Sequence, residues 1–266
     1  MADEQPQTTE LYVQRDQPTG VPPLALTGER TLPDVPEENY WFRRHLVVYE
    51  WLRARVAGLR VVDMASGEGY GADVLSRSAR SVTGVEANPD AFEHARLRYR
   101  RPNLRFERNL VELYAEPCDA VTFLQTVEHV RNPDAVLEHF RAMVEGPHAA
   151  VFVSTPNVLT LAPAGASRSG NPWHVKEYRA AEFGALCRAH FAGVELLGLY
   201  HARKLRVHEW ALRHARWDDV HAALGITKRF YDRFTPAISE RDFELRSERD
   251  GADLDAALDL VAVCRP

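Results

Sequence analysis

The stretch Val61–Leu75, "VVDMASGEGYGADVL", decides the fold. It passes from apolar residues of strand type to a carboxylate, Asp63, then through Gly67, Gly69 and Gly71 into a helical run. A glycine-rich turn between a strand and a helix lets backbone approach a ligand closely and aims the helix N-terminus at it. The turn therefore marks a binding site at a strand end. It does not by itself identify the ligand.

Outward from this turn the chain alternates. "RVVDM" reads as strand, "YGADVLSRSA" as helix, "SVTGVEA" as strand and "PDAFEHARLRYR" as helix, with Pro89 suited to a first turn. "LRFER" and "DAVTFLQ" follow as strands, then a helix opened by Pro133, the strand "AAVFVST", the helix "YRAAEFGALCRAHF", and the strands "GVELLGLY" and "LDLVAVC". This alternation predicts an α/β domain, doubly wound around a mostly parallel, seven-stranded sheet. Residues 36–58, rich in Trp, Tyr and Leu at helical spacing, predict an N-terminal cap helix. Between 203 and 249 the pattern loosens into Trp-, His- and Arg-bearing helical stretches, which reads as an insertion ahead of the last strand, serving as a lid or substrate wall. Residues 1–35 carry few apolar side chains, too little burial to offset ordering entropy, and predict a mostly disordered tail. The expectation is a single domain over 36–266.

Composition bounds the partners. A chain of 266 residues that is 45% hydrophobic can bury one sizeable core. Its formal charge of −5 supplies no general attraction to a phosphate backbone, so no nucleic-acid partner is expected. Cys118, Cys187 and Cys264 are isolated and odd in number, which argues for thiols in a reducing compartment. There is no basic-flanked apolar leader and no apolar run of the ~18 residues a membrane helix needs. No membrane span and a cytoplasmic location are expected.

Two ligands compete for the turn. Gly67, Gly69 and Ala72 satisfy the dinucleotide pattern G-x-G-x-x-G/A, and Glu86 follows at the right remove to hold a ribose, so a nicotinamide-dependent oxidoreductase is one reading. Asp63 favours another, because S-adenosylmethionine carries an ammonium and a sulfonium but no phosphate. A pyrophosphate would be repelled by both Asp63 and Glu68. At these residues the chain resembles the class I S-adenosylmethionine-dependent methyltransferases, whose fold is Rossmann-like. "VVDMASGEGYG" looks like their first motif, "VTGVEAN" like their second, and "CDAVTFLQTVEHVRNPDAVL" like the region of their fourth strand. The resemblance covers about residues 37 to 200 and resumes at the last strand. Ala65 departs from it, standing where the pattern has its first glycine, and alanine disfavours positive φ. That departure opens a third reading, a non-catalytic regulatory protein that binds S-adenosylmethionine.

The resemblance implies roles for particular residues. Asp63 and the backbone around Ala65 to Gly67 would hold the methionine end of the cofactor, with Glu86 on the ribose hydroxyls and Gly69 a further cofactor-binding residue of the turn, whose structural alternative is a turn or helix-packing glycine. Asn109 would contact the adenine and Gln125 would line the methionine side. In "ENYWFRRH", Tyr40 and Trp41 would cover the pocket and Arg43 or Arg44 would pair with the methionine carboxylate.

A narrower resemblance suggests the acceptor. "LTGERTLPD", "ENYWFRRH", "VSTPNV", "NPWHVKEY" and "LDLVAVCRP" look like actinobacterial methyltransferases associated with methylated sugar polymers, including those of methylglucose lipopolysaccharide synthesis. This implies methyl transfer to a small-molecule or saccharide hydroxyl. A hydroxyl is a poor nucleophile and benefits from a general base, for which histidine is suited near neutral pH. His174, in "SRSGNPWHVKEY", is the first candidate and His129 the second, since both follow strands at the sheet edge where ligands bind. Each has a structural alternative as a loop-ordering side chain. Mg2+ polarising the hydroxyl is a further route, with Glu128, His129 and Asp134 as donors, but no spacing here is diagnostic of a metal site.

Overall fold

The computed structural model describes residues 11–26, 30–163 and 165–266. It begins with a two-stranded antiparallel ribbon, β1 (Leu11–Tyr12) and β2 (Leu24–Ala25). Leu24, Leu32 and Val35 form a small buried cluster beneath it. The ribbon is tied to the domain by polar contacts: the Gln14 amide donates to Glu68 Oε1 at 2.9 Å, and His94 Nδ1 sits 2.7 Å from the Pro22 carbonyl. The expected disordered tail is thus corrected for its described part, while residues 1–10 and 27–29 lie outside the described residues. Val21, Leu24, Leu32 and Val35 are buried while Leu11 and Val13 stay exposed, and the arm's remaining anchors come from distant parts of the chain that composition cannot reveal.

Helix α1 (Asn39–Arg55) caps the domain, burying Phe42, Val48, Tyr49 and Leu52 on one face. The central sheet then starts with β3 (Arg60–Met64), followed by α2 (Tyr70–Ser76), β4 (Ser81–Glu86), α3 (Pro89–Arg98), β5 (Leu104–Arg108) and β6 (Ala120–Leu124). Next come α4 (Pro133–Met143), β7 (Ala150–Pro156), a short α5 (Val158–Leu161), α6 (Ala180–His190) and β8 (Gly193–His201). The insertion contributes α7 (Arg203–His214), α8 (Trp217–Ala223), α9 (Thr227–Phe234) and β9 (Phe243–Ser247), and β10 (Asp259–Arg265) closes the chain. Pro89 and Pro133 open their helices behind Asn88 and Asn132, whose side-chain oxygens accept backbone N–H groups of the first turn.

The sheet has eight strands in the order β5-β4-β3-β6-β7-β10-β8-β9. The four pairings from β5 to β7 are parallel, and those involving β10, β8 and β9 are antiparallel. The eighth strand, beyond the seven expected, is β9, which pairs with β8 at the sheet edge. Its sequence, "FELRS", is short, and its central residues are charged or partly exposed, as suits an edge strand, so it lacks a hydrophobic run to announce it. Strand alternation sends Val61 to one core and Val62 to the other, so both faces of the sheet are covered.

Two features of this topology create the site. From β3 the chain moves outward to β4 and β5, then returns to β6 on the other side, so a crevice opens at the strand ends between β3 and β6. Because β10 runs antiparallel to β7, its first residue, Asp259, pairs with Pro156 at the edge where the parallel strands end.

Candidate active site

A cleft of about 750 Å³ opens at these strand ends. The turns after β3 and β6 form its floor, α1 forms one wall, and the segment leading from α5 toward α6 forms another. Ala65, at the end of β3, has φ 56°, and Gln125, at the end of β6, has φ 52°. Both line the cleft, and both occupy a left-handed conformation that costs a non-glycine residue ~1–2 kcal/mol. Ala65 therefore adopts the backbone geometry that a glycine would, which removes the ground for the regulatory reading that its presence suggested.

The turn itself is organised by Glu86. Its Oε2 accepts the Gly67 N–H at 2.8 Å and its Oε1 accepts the Asn88 N–H at 2.8 Å, which clamps the carboxylate at the cleft edge. Each oxygen retains acceptor capacity for a ligand hydroxyl. Ala65, Gly67, Glu86 and Gln125 are brought together on the lining. Ser66 lies between them, buried, with its hydroxyl unpartnered among the described residues. Sequence reasoning passed over Ser66, since nothing separates it locally from an ordinary turn serine.

The other cofactor candidates fall elsewhere. Asp63 is fully buried behind Tyr49, accepting from the Thr122 hydroxyl at 2.6 Å and the Tyr49 hydroxyl at 3.3 Å through Oδ1, while Oδ2 has no partner among the described residues. Burial pushes its pKa up to about 7, against the lowering effect of those two hydroxyls. It does not line the cleft, so any contact with the methionine end requires Tyr49 to move. Gly69 is a packing glycine: a Cβ there would meet Ala95 at 2.8 Å and Tyr99 at 3.0 Å. Asn109 sits at the end of β5, its side-chain oxygen accepting the neighbouring Leu110 N–H, and it does not reach the lining. Glu68, read from the sequence only as a carboxylate that would repel a pyrophosphate, is among the lining residues, but its carboxylate is engaged in a buried hub with Gln14, His94, Arg98 and Tyr99.

Arg43 and Arg44 part company. Arg43 turns to Asn39 and to Glu240 of the insertion and is absent from the lining. Arg44 lines the cleft, but its guanidinium is engaged by Asp259 and the Leu258 carbonyl. Next to it, His45 is driven down to a pKa of about 4 by burial, with Asp259 raising and Arg44 lowering it, and so stays neutral. Trp41 stands at the cleft with 41% of its surface exposed. No described residue from 203–249 lines the cleft, so the insertion packs against the cap helix through Asn39, whose amide donates to the Thr235 and Ile238 carbonyls, and does not act as a wall.

His129 and His174 are brought together, with ring centroids 5.1 Å apart. Asn171 Oδ1 accepts the Trp173 N–H, which turns its amide nitrogen to His174 Nε2 at 3.0 Å. Nε2 is then an acceptor, and the ring proton lies on Nδ1, which donates to Glu177 Oε1 at 2.8 Å. His129 Nδ1 donates to the Trp173 carbonyl at 2.9 Å, and its Nε2 lies 4.0 Å from Glu128 Oε1. Glu128 is almost wholly buried, and burial, aided by Asp259 and Glu177, pushes its pKa up to about 8. The supporting Glu177 was legible only as a carboxylate three residues from His174 in "HVKEY".

Comparison with known proteins places this geometry. A family model described as a methyltransferase domain matches residues 38–213. A protein of Mycolicibacterium smegmatis named a probable S-adenosylmethionine-dependent methyltransferase is 37% identical over 90% of this chain and 94% of its own. A ubiquinone biosynthesis O-methyltransferase of Actinobacillus pleuropneumoniae is 27% identical over 38% of this chain and 47% of its own. Among solved structures, an S-adenosylmethionine-dependent methyltransferase of Thermotoga maritima superposes with a TM-score of 0.53 at 16% identity, covering 86% of this chain and 94% of that one.

Proposed function

Because this chain belongs to the class I S-adenosylmethionine-dependent methyltransferases, we propose that it transfers the methyl group to a hydroxyl of a small molecule, and specifically of a saccharide. The ligand of the Val61–Leu75 turn is accordingly S-adenosylmethionine, and the nicotinamide-dependent reading is withdrawn. The observation that carries the proposal is the division of one cleft into two chemically different ends. Glu86 and Gly67 stand at the β4 and β3 ends. The Glu128–His129–His174 cluster begins just past β6, two strand spacings or about 10 Å from β4.

The cofactor supplies a methyl group already activated on a sulfonium. The chain's own task is alignment and exclusion of water. Glu86, fixed by two backbone N–H groups, receives the ribose hydroxyls, and the strained turns at Ala65 and Gln125 present backbone to the methionine portion. At the other end the acceptor hydroxyl must lose its proton as the new O–C bond forms, and we place it against His129 and His174, in the basic corner of the cleft. Trp41 on the lining and the half-exposed Trp173 beside His174 offer amphipathic ring faces of the kind that pack on a sugar. The O-methyltransferase relative supports an oxygen acceptor.

Calorimetric titration with S-adenosylhomocysteine tests the cofactor end. Binding weakened by about tenfold or more in Glu86→Gln is expected, on the order of one charge-assisted hydrogen bond pair. Unchanged affinity would remove Glu86 from the ribose. Labelled methyl transfer to saccharide hydroxyls, lost in His174→Ala or His129→Ala with cofactor binding retained, tests the acceptor end; normal turnover in both variants would refute that placement.

A further inference from the structure

We propose that Glu128, His129 and His174 bind one divalent transition-metal ion of the Zn2+ class at the acceptor end of the cleft. One ligand atom from each residue lies within 4.8 Å of the others. Two imidazoles and one carboxylate with an open position are a donor set for a borderline transition ion. Mg2+, weighed from the sequence only as a further route with no diagnostic spacing, prefers oxygen ligands throughout.

Three further observations point the same way. Both imidazoles have their Nδ1–H fixed by an outer partner, the Trp173 carbonyl for His129 and the Glu177 carboxylate for His174. Metal-binding histidines are held in this manner, because the outer acceptor fixes the tautomer and the ring orientation. Glu128 is 1% exposed, and among the described residues its Oε2 has no hydrogen-bond partner, so a bound cation would give that buried oxygen the partner it lacks. Finally, the His129 Nε2 to Glu128 Oε1 distance of 4.0 Å exceeds by only about half an ångström the separation of two ligands on one tetrahedral ion. Side-chain rotation would have to close that gap and the wider separations, up to 4.8 Å, within the cluster. Binding also requires the Asn171 amide to leave His174 Nε2, so Asn171 holds the third ligand while the ion is absent.

What the ion would do rests on the hydroxyl-methylation reading above; the site itself does not. An acceptor oxygen entering the open position becomes more acidic and loses its proton to solvent. The methyl carbon's bond to sulfur breaks as its bond to oxygen forms, and the sulfur leaves as a neutral thioether. In this form His129 and His174 serve as ligands instead of proton acceptors.

The test is equilibrium dialysis of the full chain, stripped with EDTA, against Zn2+ and separately against Mg2+. About one tightly held Zn2+ per chain and no retained Mg2+ are expected, with affinity falling at least about tenfold in His129→Ala and Glu128→Gln. Glu177→Gln keeps all three ligands but loses the charged acceptor behind His174, and a drop of about 10–100-fold is expected there. Asn171→Ala, which frees His174 Nε2, should hold Zn2+ at least as tightly. Failure of the wild-type chain to retain Zn2+, or equal retention by Glu128→Gln and Glu177→Gln, overturns the site. Melting curves show which variants are folded, and should His129→Ala be unfolded, the two glutamine variants decide. Titration with S-adenosylhomocysteine runs alongside: cofactor binding without Zn2+ refutes the metal site alone, and Zn2+ binding without cofactor supports the site while refuting the methyl-transfer reading.

Discussion

Arg44 on the cap helix and Asp259 at the first residue of β10 form a buried bidentate pair, with Nε to Oδ2 at 2.7 Å and Nη2 to Oδ1 at 2.5 Å. They are 215 residues apart, and they lock the helix to the sheet at the cleft wall. Burial works against the arginine's charge, but Asp259 more than offsets it, and its pKa moves up. The Trp41 ring, 4.9 Å from the guanidinium carbon, adds a cation–π contact.

Removing one partner strands the other charge in the interior, which costs about 3–5 kcal/mol. Asp259→Ala is therefore expected to lower the melting temperature by on the order of 10 °C. The double variant Arg44→Met/Asp259→Leu, with no stranded charge, should recover much of that loss. Equal melting temperatures for wild type and Asp259→Ala would show that the pair does not hold α1 in place.

Ala65 offers a gain. Its φ of 56° is strained for alanine, and glycine would relieve ~1–2 kcal/mol, of which greater unfolded-chain entropy takes back ~0.4–1 kcal/mol. Ala65→Gly should raise the melting temperature by a few degrees and leave affinity for S-adenosylhomocysteine intact. A lower melting temperature would mean that the turn carries no relievable strain.

Asp63 sets a pH dependence. Its folded pKa of about 7, caused first by burial, stands above the ordinary carboxylate value of about 4. The folded chain thus keeps a proton that the unfolded chain releases between those values. The contribution is present below about pH 4 and is lost as pH rises through about 7, a loss on the order of a few kcal/mol. Asp63→Asn keeps an oxygen for the Thr122 and Tyr49 hydroxyls without the titration. Its melting temperature should fall less than that of wild type between pH 5 and pH 8. Parallel profiles would assign the dependence to other groups.

The cofactor end shows how far local signals reach. Glu86 and Gly67 were legible because a strand end followed by glycines leaves the backbone few conformations, and the next strand end must lie beside it in a parallel sheet. His129 and His174 were legible as loop residues after strands, but their proximity was not, because the loop carrying His174 folds back to place its Val175 and Lys176 N–H groups on the Glu128 carbonyl. Arg43 and Arg44 differ by about 100° around a helix, so which of them faces the sheet depends on how α1 docks. Asp63 was read as a ligand residue because it ends the first strand, yet Tyr49 from α1 covers it.

By itself, then, the sequence determined the alternation of strands and helices, the prolines that open two of those helices, the glycine turn, and hence a parallel α/β sheet with its cleft at the strand ends. These follow from periodicity and backbone sterics, which act over a few residues. Tertiary structure alone decided which charges meet in the cleft and which are buried behind it. The insertion of β10 antiparallel beside β7 brings Asp259 to Arg44, and the N-terminal arm brings Gln14 to Glu68. Such pairings join residues with no local pattern in common, and burial makes them selective, because a charge removed from water must find its partner or remain unstable.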